Sequence, residues 1–600
     1  MKTSKDQIDI SRRTFMTIAG GAAGVAAMAA MGLTPNRAEA HSNIPKVDAD
    51  KMSSVESETD VLVLGSGMAG VFAAVKAHDA GAKVMVVSKG RLGSSGLTPF
   101  AKGIFAYDAE TATVSAEDFL DKVSRSALGT NNPVYTRQLL EHSLARVNDL
   151  KEWGFFDSPL YNKCFSKPLE ERDIEVKERI VITHLFKENG RIAGAAGFSL
   201  DEEKIHFFKA RSVILCTGSG AFKPNGFPVC DLTHDGTVMA YNIGAKVTGK
   251  EWNDGHPGKS KNAADCYGGW GNMFDRKPGV TGVGVVHDLG VELNYKAYMK
   301  GNPVSMGGAP GQMKTDSVAG GPYVPAGFEH HEPPQGEKRQ GPGGHSAGGK
   351  GPGGGQGPER GRPPKGGGAP PGMAGELVGG SSAGMAIHKS EGLVPINDKC
   401  ESNIPGLYAA GDALGSYMVG AIYTQVGSSL SGSAVQGAIA GKAAAEYSTG
   451  VDMPEISKAE QNRVQEDILA PLKRTEGYSP AWVTQTLQGI MIPNFVLYIK
   501  KESLLKAALA FIEELRDHHL PMLRAADLHE LRLAYETANM ITVAEMKLKA
   551  SIMRTESRCS HYRLDYPEMD TKNWNAWINI YKGADGSMQL EKQSFDSWPG

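Results

Sequence analysis

The sequence predicts an α/β protein with a Rossmann-like nucleotide-binding domain and a helical C-terminal domain. Three observations carry this. Asp60 to Gly70 (DVLVLGSGMAG) is an apolar run, uncharged after its first residue, that ends in glycines at positions 65, 67 and 70. A second strand-like run follows, Lys83 to Ser88 (KVMVVS). From Lys458 to Lys549 the pattern is helical, rich in Leu and Ala with few breakers.

In the first run, strand, glycines and helix (Val71 to Ala80) arrive in the order a dinucleotide site needs. Gly65 permits the tight turn, Gly67 lets the backbone approach a pyrophosphate, and Gly70 lets helix and strand pack closely. The helix N-terminus then faces the anion. The second strand ends in Ser88 and Lys89, where an NAD dehydrogenase places an acidic ribose ligand. A hydroxyl still hydrogen-bonds a ribose, so dinucleotide binding stands while the NAD reading loses support.

The next residues, SKGRLGSSGLTPFAKGIFAYD (Ser88 to Asp108), resemble the loop that wraps FAD in the flavoprotein subunits of fumarate reductase and succinate dehydrogenase, whose relatives include L-aspartate oxidase and adenylylsulfate reductase. Thr233 to Ala245 (THDGTVMAYNIGA), Ile404 to Asp412 (IPGLYAAGD) and Asn539 to Arg563, which ends in E-S-R-x-x-H-Y-R, resemble further blocks of that family in the same order. The resemblance implies a two-part FAD-binding domain (58–249 and 375–450), an inserted capping domain (250–374), and a helical C-terminal domain with an irregular tail (451–600). It also implies FAD contacts from Gly65, Gly67, Met68, Ala69 and Gly70, then from Ser88, Lys89, Ser95, Gly96 and Gly103. Thr217, Gly218, Asp235, Gly411, Asp412, Ser428, Ser429 and Leu430 complete the implied set. No histidine stands near Ser94 to Gly96, where membrane-bound relatives carry one, so non-covalent FAD is expected.

At the N-terminus, Ser11 to Met16 (SRRTFM), a weakly apolar Ala/Gly stretch and Ala38-Glu39-Ala40 form a twin-arginine export signal over 1–40, with a linker over 41–57. A periplasmic location is expected, or the extracytoplasmic face in a host without an outer membrane. No other run is long enough to span a bilayer, so the mature form should not cross one. A formal net charge of -3 argues against nucleic-acid binding. Six scattered cysteines form no C-x-x-C or haem-attachment motif, so no metal or haem site is indicated and electrons must be exchanged with another protein or a diffusible carrier.

Ala116 to Gly154 has helical spacing, and Glu178 to Leu200 reads as a meander turning at Asn189-Gly190. Gln335 to Gly372 is almost all Gly and Pro with interspersed charge, which reads as a disordered insert. Gly427 to Glu446 opens a helix that Ser428 and Ser429 can cap, its N-terminus facing the flavin's pyrimidine edge.

The family's reductases protonate substrate with an arginine of the capping domain and bind carboxylates with His and Arg. His256-Pro257 resembles the family's His-Pro, which makes His256 a site candidate. Arg276 is the nearest following arginine and a candidate proton donor, although its surroundings do not match the family motif. Between Gly420 and Leu430 the chain reads GAIYTQVGSSL, without the arginine that grips a carboxylate in the family's G-A-N-R-L-G-G-N-S-L. Tyr423 stands there instead and can hydrogen-bond or protonate a carbonyl or phenol. Arg554, Arg558 and Arg563 read as structural ion-pair partners.

These features lead to an FAD-dependent reductase that transfers hydride from flavin N5 to an activated C=C bond of a small organic acceptor. Its electrons would come from a cytochrome or a quinol-linked protein. Two alternatives stay open, a dehydrogenase running in the oxidative direction and a flavin electron-transfer subunit without its own substrate site.

Overall fold

Apolar runs that alternate with helical spacing can bury both faces only as a sheet covered by helices, and the computed structural model has that layering. It describes residues 47–223, 231–254, 275–288, 313–315, 386–492 and 494–598. His256, the expected export signal and the Gly/Pro-rich insert lie outside the described residues, as does most of the span expected to cap the flavin.

Strand β1 (Ser53–Leu64) leads into α1 (Met68–Asp79) and β2 (Val84–Val87). The glycine loop carries β3 (Gly103–Phe105). The expected helical span is two helices, α2 (Ala116–Ser126) and α3 (Pro133–Glu152), followed by α4 (Asn162–Glu170) and β4 (Glu175–Lys177). The meander comprises β5 (Ile180–Glu188) and β6 (Arg191–Ser199), joined at Asn189 (φ 48°) and Gly190 (φ 81°). Next come β7 (Lys204–Leu215), α5 (Asp235–Asn242), β8 (Val247–Thr248), β9 (Gly279–Thr281), β10 (Val286–Asp288) and β11 (Met313–Thr315). The chain returns through β12 (Gly392–Leu393), β13 (Leu407–Ala409) and the long helix α6 (Ser428–Thr449).

The main sheet has the order β4-β2-β1-β7-β6-β5, with β13 also on β7. Its pairings from β4 to β7 are parallel, whereas β6 and β5 run antiparallel, so the meander is continuous with the nucleotide-binding sheet rather than separate from it. Strand β7 forks: its first half pairs with β6 and its last three residues with β13. Helix α6 lies against α1 at close range because it is rich in small residues. A Cβ on Gly437 or Gly441 would stand 2.3 Å from the carbonyl oxygens of Ala69 and Ala73.

The C-terminal region supplies α7 (Lys458–Lys473), α8 (Pro480–Met491), β14 (Ile499–Lys500), α9 (Glu502–Glu514) and α10 (Leu528–Met553). Leu487, Ile512, Met540 and Ile541 form their own buried core. Beyond β15 (Tyr562–Arg563), the expected irregular tail is instead a hairpin, β16 (Ala576–Lys582) and β17 (Met588–Ser594). It joins β8 and β12 in a four-stranded sheet. The reason is visible in AWINIYK, whose apolar side chains are buried on that sheet. Arg554 is fully buried between Glu251 (2.9 Å) and Glu556 (2.8 Å), Arg558 pairs with Glu556 at 3.0 Å, and Arg563 with Asp565 at 2.8 Å. These three arginines therefore act structurally, binding the tail to the rest of the fold.

Candidate functional site

The turn after β1 is made by its glycines. Gly65 has φ +112°, and a Cβ there would stand 2.2 Å from the Cys216 carbonyl oxygen. A Cβ on Gly70 would stand 2.0 Å from the Gly65 oxygen, so Gly70 serves close helix–strand packing and lies behind the site. The turn, the ends of β2 and β7 and the glycine loop together enclose a cavity of about 360 Å³.

Gly65, Gly67, Met68 and Ala69 line this cavity from the turn, and Ser88, Lys89, Ser95 and Gly96 from the second strand and its loop. Thr217, Gly218, Asp235, Gly411 and Asp412 close it. Gly70, Gly103, Ser428, Ser429 and Leu430 are not part of its lining. Gly103 pairs with Gly279 in β9. Ser428 and Ser429 do not cap α6: Gly427, at φ 81°, is the N-cap and there is no side-chain cap bond. A left-handed turn delivers the chain into the helix, which leaves both serines inside its first turn.

Ser88, at the ribose position, accepts a hydrogen bond from Ser66 Oγ at 2.7 Å. Lys89 is held by carboxylates, with Nζ 2.6 Å from Asp235 Oδ2 and 2.9 Å from Glu536 Oε1 on α10. Burial disfavours its charge, but the two carboxylates outweigh burial and hold the ammonium above the usual lysine range. Burial likewise pushes the Asp235 carboxyl up, and Lys89 reverses this to bring it below the usual range. Asp235 also accepts from Thr233 and Asn539 through Oδ1, each at 2.8 Å. With Lys89 on Oδ2, one acceptor position of Oδ2 remains for a ligand hydroxyl.

At the other end of the cavity, Asp412 accepts from Lys389 Nζ (3.0 Å) and faces His388 Nδ1 (3.2 Å). Burial opposes its ionisation, yet Lys389 and His388 hold the carboxyl well below the usual range. The His388 and Tyr423 rings meet edge to face at 6.3 Å, and the Tyr423 hydroxyl accepts from the Gly427 amide at 3.1 Å. Tyr423 thus stands beside a second ionisable group at the turn into α6. Arg276 is exposed, just before β9, and does not line the cavity.

Sequence reasoning missed Glu536, His388 and Lys389. Glu536 lies 447 residues from Lys89 and sits in a helix whose other carboxylates give the same local signal. His388-Lys389 is a basic pair directly after the apolar Met385-Ala386-Ile387, which was the available hint.

Whether the residues fit a flavin dinucleotide is tested by their unmet hydrogen bonds. Thr217 Oγ1, on the cavity wall, is buried without a partner in the protein. Such a group costs about 1–3 kcal/mol unless a ligand satisfies it. The glycine cradle, the ribose-side hydroxyls and this orphaned group fit FAD. Four of the six cysteines are described, all free and buried, and no group of metal-ligating side chains occurs among the described residues.

Residues 60–224 match the family described as FAD dependent oxidoreductase, and residues 484–598 the fumarate reductase flavoprotein C-terminal family. An uncharacterized FAD-dependent oxidoreductase of Methanocaldococcus jannaschii is 25% identical over 90% of this chain and 98% of its own. One subunit of the fumarate reductase (CoM/CoB) of Methanothermobacter marburgensis is 26% identical over 86% of this chain and 96% of its own. In fold the chain is similar to adenylylsulfate reductase of Archaeoglobus fulgidus, with TM-score 0.65, 19% identity, and 92% and 99% of the two chains covered. It is also similar to E. coli quinol fumarate reductase, with TM-score 0.66, 17% identity, and 90% and 97% covered. With its flavin-binding and C-terminal blocks both matched, the chain is an FAD-dependent oxidoreductase similar to the fumarate reductase/succinate dehydrogenase flavoproteins.

Proposed function

We propose that this chain is an exported reductase that saturates an activated C=C bond of a small organic acceptor, with electrons from a cytochrome or a quinol-linked protein and with FAD held non-covalently. The observation that carries the reading is the match, over 96% of its length, to a protein named fumarate reductase. Bound FAD supplies hydride transfer at N5.

The chain's own residues do the rest. The turn from Gly65 to Ala69 and the Ser88 and Thr217 hydroxyls bind the dinucleotide, and the first turn of α6 faces its pyrimidine edge. Tyr423, beside His388 and Asp412, holds the proton that the substrate carbon or carbonyl receives, with His256 contributed from the capping segment. The sequence GAIYTQVGSSL offers no arginine for one of two carboxylates, so the acceptor is an enone or a monocarboxylate such as an enoate or phenolic acrylate rather than the dicarboxylate fumarate.

The test is anaerobic reoxidation of the reduced holoprotein by a panel of these acceptors, with fumarate included. Rapid reoxidation by one class but not by fumarate is the expected result. Reoxidation by fumarate alone overturns the role given to Tyr423, and silence across the panel overturns the reductase reading. Sequencing the N-terminus of the mature protein tests export: a chain beginning at His41 is expected, and an intact N-terminus in a cytoplasmic fraction refutes it.

A further inference from the structure

One face of α10 is turned toward the nucleotide cavity. Arg532, Glu536 and Asn539 stand at spacing i, i+4 and i+7, which places them in one row along the helix. Glu536 accepts from Lys89 at 2.9 Å and Asn539 donates to Asp235 at 2.8 Å, and both of those partners line the cavity. Arg532 reaches the cavity itself. Its side chain is part of the wall, and among the described residues it is the one contribution of the C-terminal region to that wall. Tyr535 packs against His184 of β5 and Phe198 of β6, with ring centroids 6.2 Å apart in each case, so the first turns of α10 are seated on the meander.

Unlike the other two residues of the row, Arg532 has a donor that is not met. Its Nε is buried, yet has no hydrogen-bond partner among the described residues. Glu536 Oε1 lies 4.0 Å from it, beyond hydrogen-bonding range, and is already engaged by Lys89. Glu536 therefore balances the charge of the guanidinium without satisfying its donor. A buried charged donor left unmet is costly, and a ligand in the cavity is what can meet it. The wall at this end is otherwise largely apolar. Ile180 and Ile182 come from β5, and Ile180 donates its amide to the Ser88 carbonyl at 3.0 Å, so this part of β5 adjoins the ribose position. Leu232 precedes α5 and Met239 lies within it, on either side of Asp235 in the chain. Four apolar side chains and a planar cation suit a flat ring with lone pairs on its edge, because a guanidinium both stacks on such a ring and donates to it. They do not suit a pyrophosphate, whose place is the glycine turn.

We propose that Arg532 is a cofactor-binding residue that holds the adenine of FAD, donating Nε–H to a ring nitrogen of the base. The inference rests on the FAD reading of the cavity and extends it to the C-terminal region, which then grips the dinucleotide by its base. The requirement is for a planar donor rather than for charge alone, since Glu536 already balances the charge. FAD release is thereby coupled to the seating of α10 on the meander, and the site selects the base as well as the flavin.

The experiment uses the holoprotein and reads three quantities: FAD stoichiometry, the rate of flavin release followed by fluorescence, and the preference for FAD over flavin cytosine dinucleotide at exchange equilibrium. The second dinucleotide keeps flavin, pyrophosphate and ribose and changes only the base. The wild-type protein should prefer FAD by about tenfold or more, the size expected of a hydrogen bond to a charged group. Arg532→Lys and Arg532→Gln should both lose that preference and release FAD about tenfold faster or more, while releasing the cytosine dinucleotide at the wild-type rate. A folded, fully loaded variant of either kind that keeps the wild-type preference overturns the proposal. Equal acceleration of release for both dinucleotides also overturns it, by assigning Arg532 to the packing of α10. If neither variant folds, the wild-type exchange decides, and equal affinity for the two dinucleotides overturns the proposal. Failure of the wild-type protein to bind either dinucleotide would instead strike the FAD reading, and the inference would fall with it.

Discussion

Glu536→Gln keeps the shape of a side chain on α10 while deleting the charge shared by Lys89 at 2.9 Å and Lys223 at 2.7 Å. The carboxylate is about 1% exposed, so water cannot replace what is lost. At an effective dielectric constant near 20, each of these contacts is worth roughly 6 kcal/mol of Coulomb energy, from which the dehydration of the carboxylate must be subtracted. Removing one member of a buried pair usually costs about 3–5 kcal/mol, and because Lys89 keeps Asp235 at 2.6 Å the lower figure applies. For a body of several hundred residues, the entropy of unfolding approaches about 1 kcal/mol per degree, so the midpoint should fall by about 3 °C. Differential scanning calorimetry of the FAD-loaded protein reads this directly. The acid limb gives a second signature. Burial opposes ionisation of Glu536, but Lys89 and Lys223 hold its carboxyl below the usual range. A depressed carboxylate stabilises above its unfolded value and loses that contribution as pH falls, so the gap between wild type and variant should narrow below about pH 4.5. A midpoint within 1 °C of wild type at pH 7, with no narrowing in acid, would refute the claim that Glu536 couples α10 to the nucleotide site.

Other expectations follow from the same structure. Gly70→Val should abolish FAD binding and soluble expression, because its Cβ has no room beside the Gly65 carbonyl; a variant purified with one FAD per chain would contradict this. Burial, the leading cause in each case, lowers His184 to about 4 and His234 to about 3. Both stay neutral in the fold while the unfolded chain binds protons below about pH 6.5, so stability falls with pH, by about 2 kcal/mol per histidine between pH 7 and pH 5. Chemical denaturation at the two pH values measures this, and equal midpoints would exclude it. Tyr423→Phe should leave FAD bound and slow reoxidation by the preferred acceptor about 10²-fold or more, as loss of a proton donor does. An unchanged rate would assign Tyr423 to packing against His388.

What the sequence makes legible is local. Asp60 to Gly70 states its own geometry, since three glycines at fixed spacing serve a turn, a ligand and a helix contact, and the turn and the helix contact both leave no room for a Cβ. The Asn189-Gly190 hairpin is legible for the same reason, as both residues take positive φ. The tail hairpin carries an equally local sign, Asp585-Gly586 between two strands, although the run before it is too uniformly apolar to show alternation. The cap of α6 misleads because Ser428 and Ser429 are good cap residues and only the approach of the chain decides that Gly427 takes the role. Lys89–Glu536 and Lys389–Asp412 are illegible for a different reason. Each joins residues whose neighbours in sequence say nothing of the partner, and the pairing exists only once β2, α10, β13 and α6 are assembled.

The fork in β7 has a consequence for how the protein comes to hold its cofactor. Val213, Ile214 and Leu215 complete their pairing with Leu407, Tyr408 and Ala409, nearly two hundred residues later in the chain. Closing a loop of that length carries a large entropic cost before any contact compensates it, so this step comes late in folding. During synthesis, the glycine turn leaves the ribosome long before the strand that seats Gly411 and Asp412. A nascent chain can form the β1–α1 unit early but cannot clasp a nucleotide until β13 has docked. Cofactor capture therefore waits on the docking of β13, well after the β1–α1 unit has formed.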